Sequence, residues 1–156
     1  MKKMLCLALA LLIAGSCALA AGVPQLSGGL MSAAKQAAIC LASGEYERMV
    51  TLLPFSGVAP SATEWESFSR NYAHLGSAQR DYAVAYWKSG GWRIAVPIQD
   101  PSGGSVEVLL LHSEDGSSFD GYKYATWSEV EKAYQASDHV LWDREYIGHS
   151  AKVLPD

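Results

Sequence analysis

The stretch Tyr82-Ala83-Val84-Ala85-Tyr86-Trp87-Lys88, then Ser89-Gly90-Gly91, then Trp92-Arg93-Ile94-Ala95-Val96-Pro97-Ile98, decides the fold. Its period is two. Tyr82, Val84 and Tyr86 alternate with Ala83, Ala85 and Trp87, while Trp92, Ile94, Val96 and Ile98 face away from Arg93 and Gln99. Alternation on both sides of a Ser-Gly-Gly turn predicts two antiparallel strands joined as a hairpin. Pro97 has no N–H to offer a neighbour, so it is expected at a strand edge or a bulge.

The same period continues toward the C-terminus. Residues 100–105 form a turn, Val106–His112 a third strand, Asp115-Gly116 the next turn and Phe119–Ala125 a fourth strand. A late helix is expected near 127–136, with Ser128 and Glu131 as its capping box and Val130, Ala133 and Tyr134 inward. Between His139 and Ile147 a faint alternation suggests a fifth strand, and the structure of residues 138–156 stays open.

Toward the N-terminus the period changes to three and four. Leu30, Ala34, Ala37, Ala38 and Leu41 share one helical face, and Ser43-Gly44 ends that helix because glycine readily adopts the left-handed cap. A short second helix buries Tyr46, Met49, Val50 and Leu53 and stops at Pro54. After the Phe55–Ala62 loop, Thr63 and Glu66 suggest a capping box for a third helix. Its apolar stripe is Trp65, Phe68, Tyr72 and Leu75, and it closes at Gly76. Helices first and then consecutive strands predict an α+β domain: N-terminal helices packed on a curved antiparallel sheet of four to five strands, with short connections favouring a meander.

Lys2 and Lys3, the apolar run Met4–Ala14 and the small-residue exit Ala18-Leu19-Ala20 are the parts of a bacterial secretory signal. The run is shorter than the roughly 20 apolar residues a membrane span needs. The expected organisation is therefore a signal peptide over 1–20, a flexible leader over 21–29 and a single α+β domain over 30–156, periplasmic or secreted. The alternative exit Ala14-Gly15-Ser16-Cys17 resembles a lipoprotein box. It would make Cys17 a lipid anchor and the protein an outer-membrane lipoprotein.

Losing Lys2 and Lys3 takes the formal charge from −4 to −6. With no basic patch, nucleic acid is not an expected partner, and an acidic balance argues against a grip on anionic lipid. After cleavage only Cys40 remains, so no internal disulfide staples the domain. The remaining chain, about 136 residues, is long enough to stand on its own core.

Three features resemble the NTF2-like superfamily over about residues 30–125. They are the helix ending Ala42-Ser43-Gly44-Glu45-Tyr46-Glu47 with a short helix after it, the strand pair with Gly-Trp at its turn, and Val106–His112 followed by Glu114-Asp115-Gly116 and Phe119-Asp120-Gly121-Tyr122. The resemblance implies a cone in which helices close one side of a curved sheet. The superfamily holds isomerases, dehydratases and binding domains, so it does not assign an activity.

Candidate chemistry is sparse. Cys40 on the first helix reads as a small buried hydrophobe, because a reactive thiol needs a polarising partner. None of His74, His112, His139 and His149 pairs with another at ligand spacing, so no metal and no cofactor is expected. His112 continues the parity of Val106, Val108 and Leu110, a face suited either to a cavity or to ordinary strand-end hydrogen bonding. Asp81 and Asp120 flank strands. With His112, Tyr82, Tyr86 or Tyr122 they suit an acid–base pair, or they are simple turn residues.

Aromatic residues gather on the predicted sheet, and Tyr82, Tyr86, Trp92, Tyr122 and Tyr124 are the candidate ligand contacts. The sheet face not covered by the N-terminal helices is expected either to present aromatics or to be covered by the late helix and tail. The expectation is a non-catalytic exported domain that binds a small apolar ligand or an envelope protein. The alternatives are a cofactor-free lyase or isomerase and a surface-acting structural or inhibitory envelope protein.

Overall fold

The structure, a computed structural model, describes residues 22–70, 82–98 and 107–144. It is α+β. In chain order the elements are α1 (Gly28–Ser43), α2 (Tyr46–Leu52), α3 (Ala62–Arg70), β1 (Tyr82–Lys88), β2 (Gly91–Pro97), β3 (Glu107–Ser113), β4 (Gly121–Thr126), α4 (Trp127–Gln135) and β5 (Val140–Arg144). The strands form one antiparallel sheet in the order β4-β3-β2-β1-β5.

The β1–β2 hairpin turns on Ser89 and Gly90, both at positive φ (51° and 78°), the pattern of the type I′ turn whose twist suits a two-residue hairpin. Trp87 and Trp92 face each other across it, edge to face at 5.7 Å. Pro97 does not mark a sheet edge. It ends the central strand β2, beyond the last β1–β2 pair at Val84 and Ala95, where its missing N–H removes no bond to β1.

The meander runs from β1 to β4, and β5 then returns to the far side of β1. Crossing from β4 to β5 covers four strand spacings, roughly 19 Å. The nine residues of α4 span about 13 Å, and 136–139 supply the rest. This connection lays α4 across the second face of the sheet. Val130 and Tyr134 pack there against Val84, Tyr86, Ala95, Val108 and Leu110. Trp127, Tyr134 and Trp142 form an aromatic group beside them. Of the two expectations for this face, coverage by the late helix is the one observed.

The first face carries the larger core. Ala83 and Ala85 on β1 meet the fully buried Ala34, Ala37 and Ala38 of α1, so helix and strand approach closely. At the β4 side the space is filled by rings. Phe68 stacks on Tyr124 at 3.9 Å, and Trp65 lies 4.3 Å from Tyr122. Lys35 of α1 pairs with Asp143 of β5 at 2.9 Å and ties the helix to the edge strand.

Both capping boxes form two residues earlier than expected. Ser61, not Thr63, exchanges hydrogen bonds with Glu64, which frees Glu66 to pair with Arg70 at 2.5 Å. Thr126, not Ser128, exchanges them with Glu129, because α4 starts where β4 ends. Each region contains two overlapping S/T-x-x-E matches, and the preceding backbone selects between them.

The segment expected as a flexible leader makes specific contacts. Leu26 is buried, Trp92 donates its indole N–H to the Pro24 carbonyl at 2.8 Å, and the Ser27 N–H reaches the Gly116 carbonyl at 2.8 Å. Gly116 permits this docking. It sits at φ 76°, and a Cβ there would lie 2.5 Å from the Gln25 carbonyl oxygen. The predicted continuation of the third helix through Tyr72 and Leu75 to Gly76 lies outside the described residues.

A candidate polar cleft on the second sheet face

The site grows from the turn between β3 and β4. Asp115 folds this turn by accepting the N–H groups of Ser117 (2.8 Å) and Ser118 (3.0 Å) and the hydroxyl of Ser117 (2.7 Å). These bonds hold its carboxyl far below the ordinary carboxylate range. Ser113, fully buried, accepts the Gly116 N–H at 3.0 Å. So shaped, the turn returns Asp120 beside His112. The Asp120 N–H donates to the His112 carbonyl at 3.0 Å, Asp120 Oδ1 contacts His112 Nδ1, and Asp120 Oδ2 accepts the Glu114 N–H at 2.7 Å. A carboxylate at Nδ1 places a proton there and leaves Nε2 as the reactive edge of the ring.

Strand register supplies the neighbours. His112 lies opposite Arg93, and Arg93 lies opposite Tyr86, all on the second face. Gly91 admits the two heads: a Cβ there would strike His112 Nε2 and come within 2.9 Å of Arg93 Nη1. Arg93, Leu110, Leu111, His112, Gly121, Tyr122 and Lys123 line a cleft of about 240 Å³. Burial lowers the pKa of Arg93, with Tyr86 and Asp120 opposing that shift. Burial raises the Tyr86 hydroxyl, Arg93 opposes, and Glu129 of α4 adds to the rise. Among the described residues Arg93 donates one hydrogen bond, a long one to the Trp92 carbonyl at 3.3 Å, and has no carboxylate at ion-pair distance.

The sequence-derived candidates separate clearly. Asp120 and His112 come together. Asp81 lies outside the described residues, as does Cys17; Tyr82 pairs through its backbone with Arg144. Tyr86 stands in the row with Arg93. Trp92, Tyr122 and Tyr124 point to the first face, where Trp92 packs against the leader and the two tyrosines against α3. Cys40 is buried, and burial raises its thiol pKa, as expected of a packing residue. Nothing in the local sequence marks Arg93, Lys123 or Gly91 as site residues. Strand parity alone holds a signal for Arg93, since a charge amid an apolar strand sits on the same face as His112.

The arrangement offers a positive, directional surface and one oriented imidazole. Among the described residues no three His, Cys, Asp or Glu side chains gather as metal ligands, and no helix is long and apolar enough to cross a membrane. No family model, curated protein or solved structure matches the chain.

Proposed function

We propose that the chain is an exported, non-catalytic binding domain of the bacterial envelope, and that its ligand seats in the cleft formed by Arg93, His112 and Lys123. One observation carries this reading: a half-buried guanidinium faces a cleft with a single long backbone hydrogen bond among the described residues. A partly desolvated guanidinium with unused donors costs free energy, and a ligand that accepts from those donors recovers it. Leu110 adds an apolar residue to the cleft lining. A small molecule fits this seat, and so does one side chain of an envelope protein. The NTF2-like resemblance remains part of the proposal, through its helices-then-strands order.

Export rests on the signal-like segment, with removal before Ala21 as the leading form and lipidation of Cys17 as the other. Palmitate labelling separates the two. Native mass spectrometry of protein taken from the envelope tests the binding reading. Added mass that is lost in Arg93→Gln supports it; protein of bare chain mass from every envelope preparation removes it.

The oriented His112–Asp120 pair supports a second reading, a cofactor-free lyase or isomerase in which His112 moves a proton. It requires a turnover that His112→Gln abolishes and Lys123→Gln does not.

A further inference from the structure

We propose that the cleft is a carboxylate site, and that its ligand is a free small monocarboxylic acid gripped by Arg93, Lys123 and His112. This rests on the binding reading above and names the chemistry of the ligand.

Three observations converge on a carboxylate. The guanidinium of Arg93 is planar and presents paired N–H donors, a fork that matches a carboxylate. It lies in the cleft wall with most of those donors unused among the described residues. Because Gly91 has no side chain, His112 Nε2 and Arg93 Nη1 both pack over its Cα and come close to each other. One carboxylate oxygen seated between the two nitrogens bridges them. Lys123, from the opposite wall on β4, supplies a flexible second cation.

Local charge selects a monoanion. Asp120 lies within electrostatic reach of Arg93, and Glu129 of α4 within reach of Lys123 and Tyr86. Arg93, Lys123 and, on α4, Lys132 therefore stand near two carboxylates that offset most of their charge. A phosphate dianion would bring a second negative charge close to Asp120 and Glu129. The volume of about 240 Å³ is small beside the roughly 300–1,000 Å³ of drug-sized pockets. It suits a short-chain or single-ring acid whose apolar part lies on Leu110.

Protonated His112 donates from Nε2, whereas neutral His112 with its proton held at Nδ1 presents a lone pair to the anion. Binding therefore strengthens as His112 takes up its second proton. The groups that set that protonation are Asp120, Arg93 and Lys123 around the ring, and Tyr86 and Glu129 beyond them.

The test is a titration of the full mature chain, followed by NMR at the Arg93 Nε–H, the His112 ring and the backbone amides. Probes are butyrate, benzoate, the neutral butyramide, inorganic phosphate and a short peptide with a free C-terminus. Butyrate or benzoate shifts Arg93 and His112 in a saturable way, and butyramide and phosphate do not. Affinity falls by about tenfold or more in Arg93→Gln and several-fold in Lys123→Gln, while Arg48→Gln on α2 leaves it unchanged. It also weakens as rising pH removes the second proton of His112.

Equal shifts with butyramide, tighter binding of phosphate, or undiminished binding by a folded Arg93→Gln protein would each overturn the proposal. Binding of the peptide but not of the free acids would overturn it in favour of a protein partner. An affinity independent of pH would overturn the role of His112. Should Arg93→Gln fail to give a native amide spectrum, Lys123→Gln decides. Failure here is distinguishable from failure of the binding reading: envelope protein that carries a neutral or cationic ligand, with no response to acids, leaves a binding domain without a carboxylate site.

Discussion

Replacing Gly91 with alanine probes the cleft with one methyl group. The backbone at Gly91 does not require positive φ, so alanine suits the strand and by itself stabilises it by about 0.5–1 kcal/mol. The methyl, however, occupies the space of His112 Nε2 and crowds Arg93 Nη1. Both are ends of rotatable side chains, so the ring turns away and the strand stays intact. Turning breaks the contact with Asp120, a charge-assisted bond of roughly 1.5–3 kcal/mol, and leaves the carboxylate the Glu114 N–H alone. The net expectation is a loss of about 1–2 kcal/mol.

Urea denaturation of the parent, Gly91→Ala, His112→Ala and the double variant measures it. In the His112→Ala background the added methyl meets no ring and becomes neutral or mildly stabilising. The coupling between the two sites therefore has the sign of a relieved clash. If Gly91→Ala is as stable as the parent while His112 is present, or if it destabilises equally with His112 removed, the placement of His112 against Gly91 is refuted.

Cys40 resists alkylation in the native protein and reacts fully in denaturant, because it is buried and its thiol is held protonated; rapid native labelling would contradict that. Asp115 has a depressed pKa in the folded state. Its contribution is present above the unfolded value near 3.9 and is lost as pH falls toward the folded one. Thermal melts therefore show acid destabilisation that is smaller in Asp115→Asn, and identical acid profiles would refute the role given to the turn. Asp143→Ala costs about 1 kcal/mol by removing one partner of the mostly buried Lys35. Changing the pair together to Lys35→Met and Asp143→Leu costs clearly less; additive losses would show that the two residues act apart. Thr126→Ala removes the cap of α4 and costs about 1 kcal/mol, read from the urea midpoint.

Much of this architecture is legible in the chain because two periods divide it. Residues 82–98 alternate so regularly that the hairpin, its turn and the opposite facing of Arg93 and Ile94 follow from spacing alone. The α1 face of Leu30, Ala34, Ala37, Ala38 and Leu41 is legible for the same reason. Cap positions were not, since Ser61/Thr63 and Thr126/Ser128 offer the same local chemistry and only the approaching backbone distinguishes them.

The aromatic candidates show the limit of parity. It separates Tyr86 from Trp92 and Tyr122, yet it does not say which face is open. That depends on where α4 crosses, a long-range consequence of β5 joining β1. His112 and Asp120 stand out in the sequence as separate candidates, and the turn that Asp115 folds is what pairs them. Their companions Arg93 and Lys123 come from neighbouring strands, and strand register alone brings them together.

The most direct test is a high-resolution crystal structure of the protein isolated undenatured from its own cells. Density for a bound group against Arg93 Nη1 and Lys123 Nζ, with His112 still on Asp120, is the predicted result. A cleft holding only water, with a ligand bound elsewhere on the protein, would contradict it.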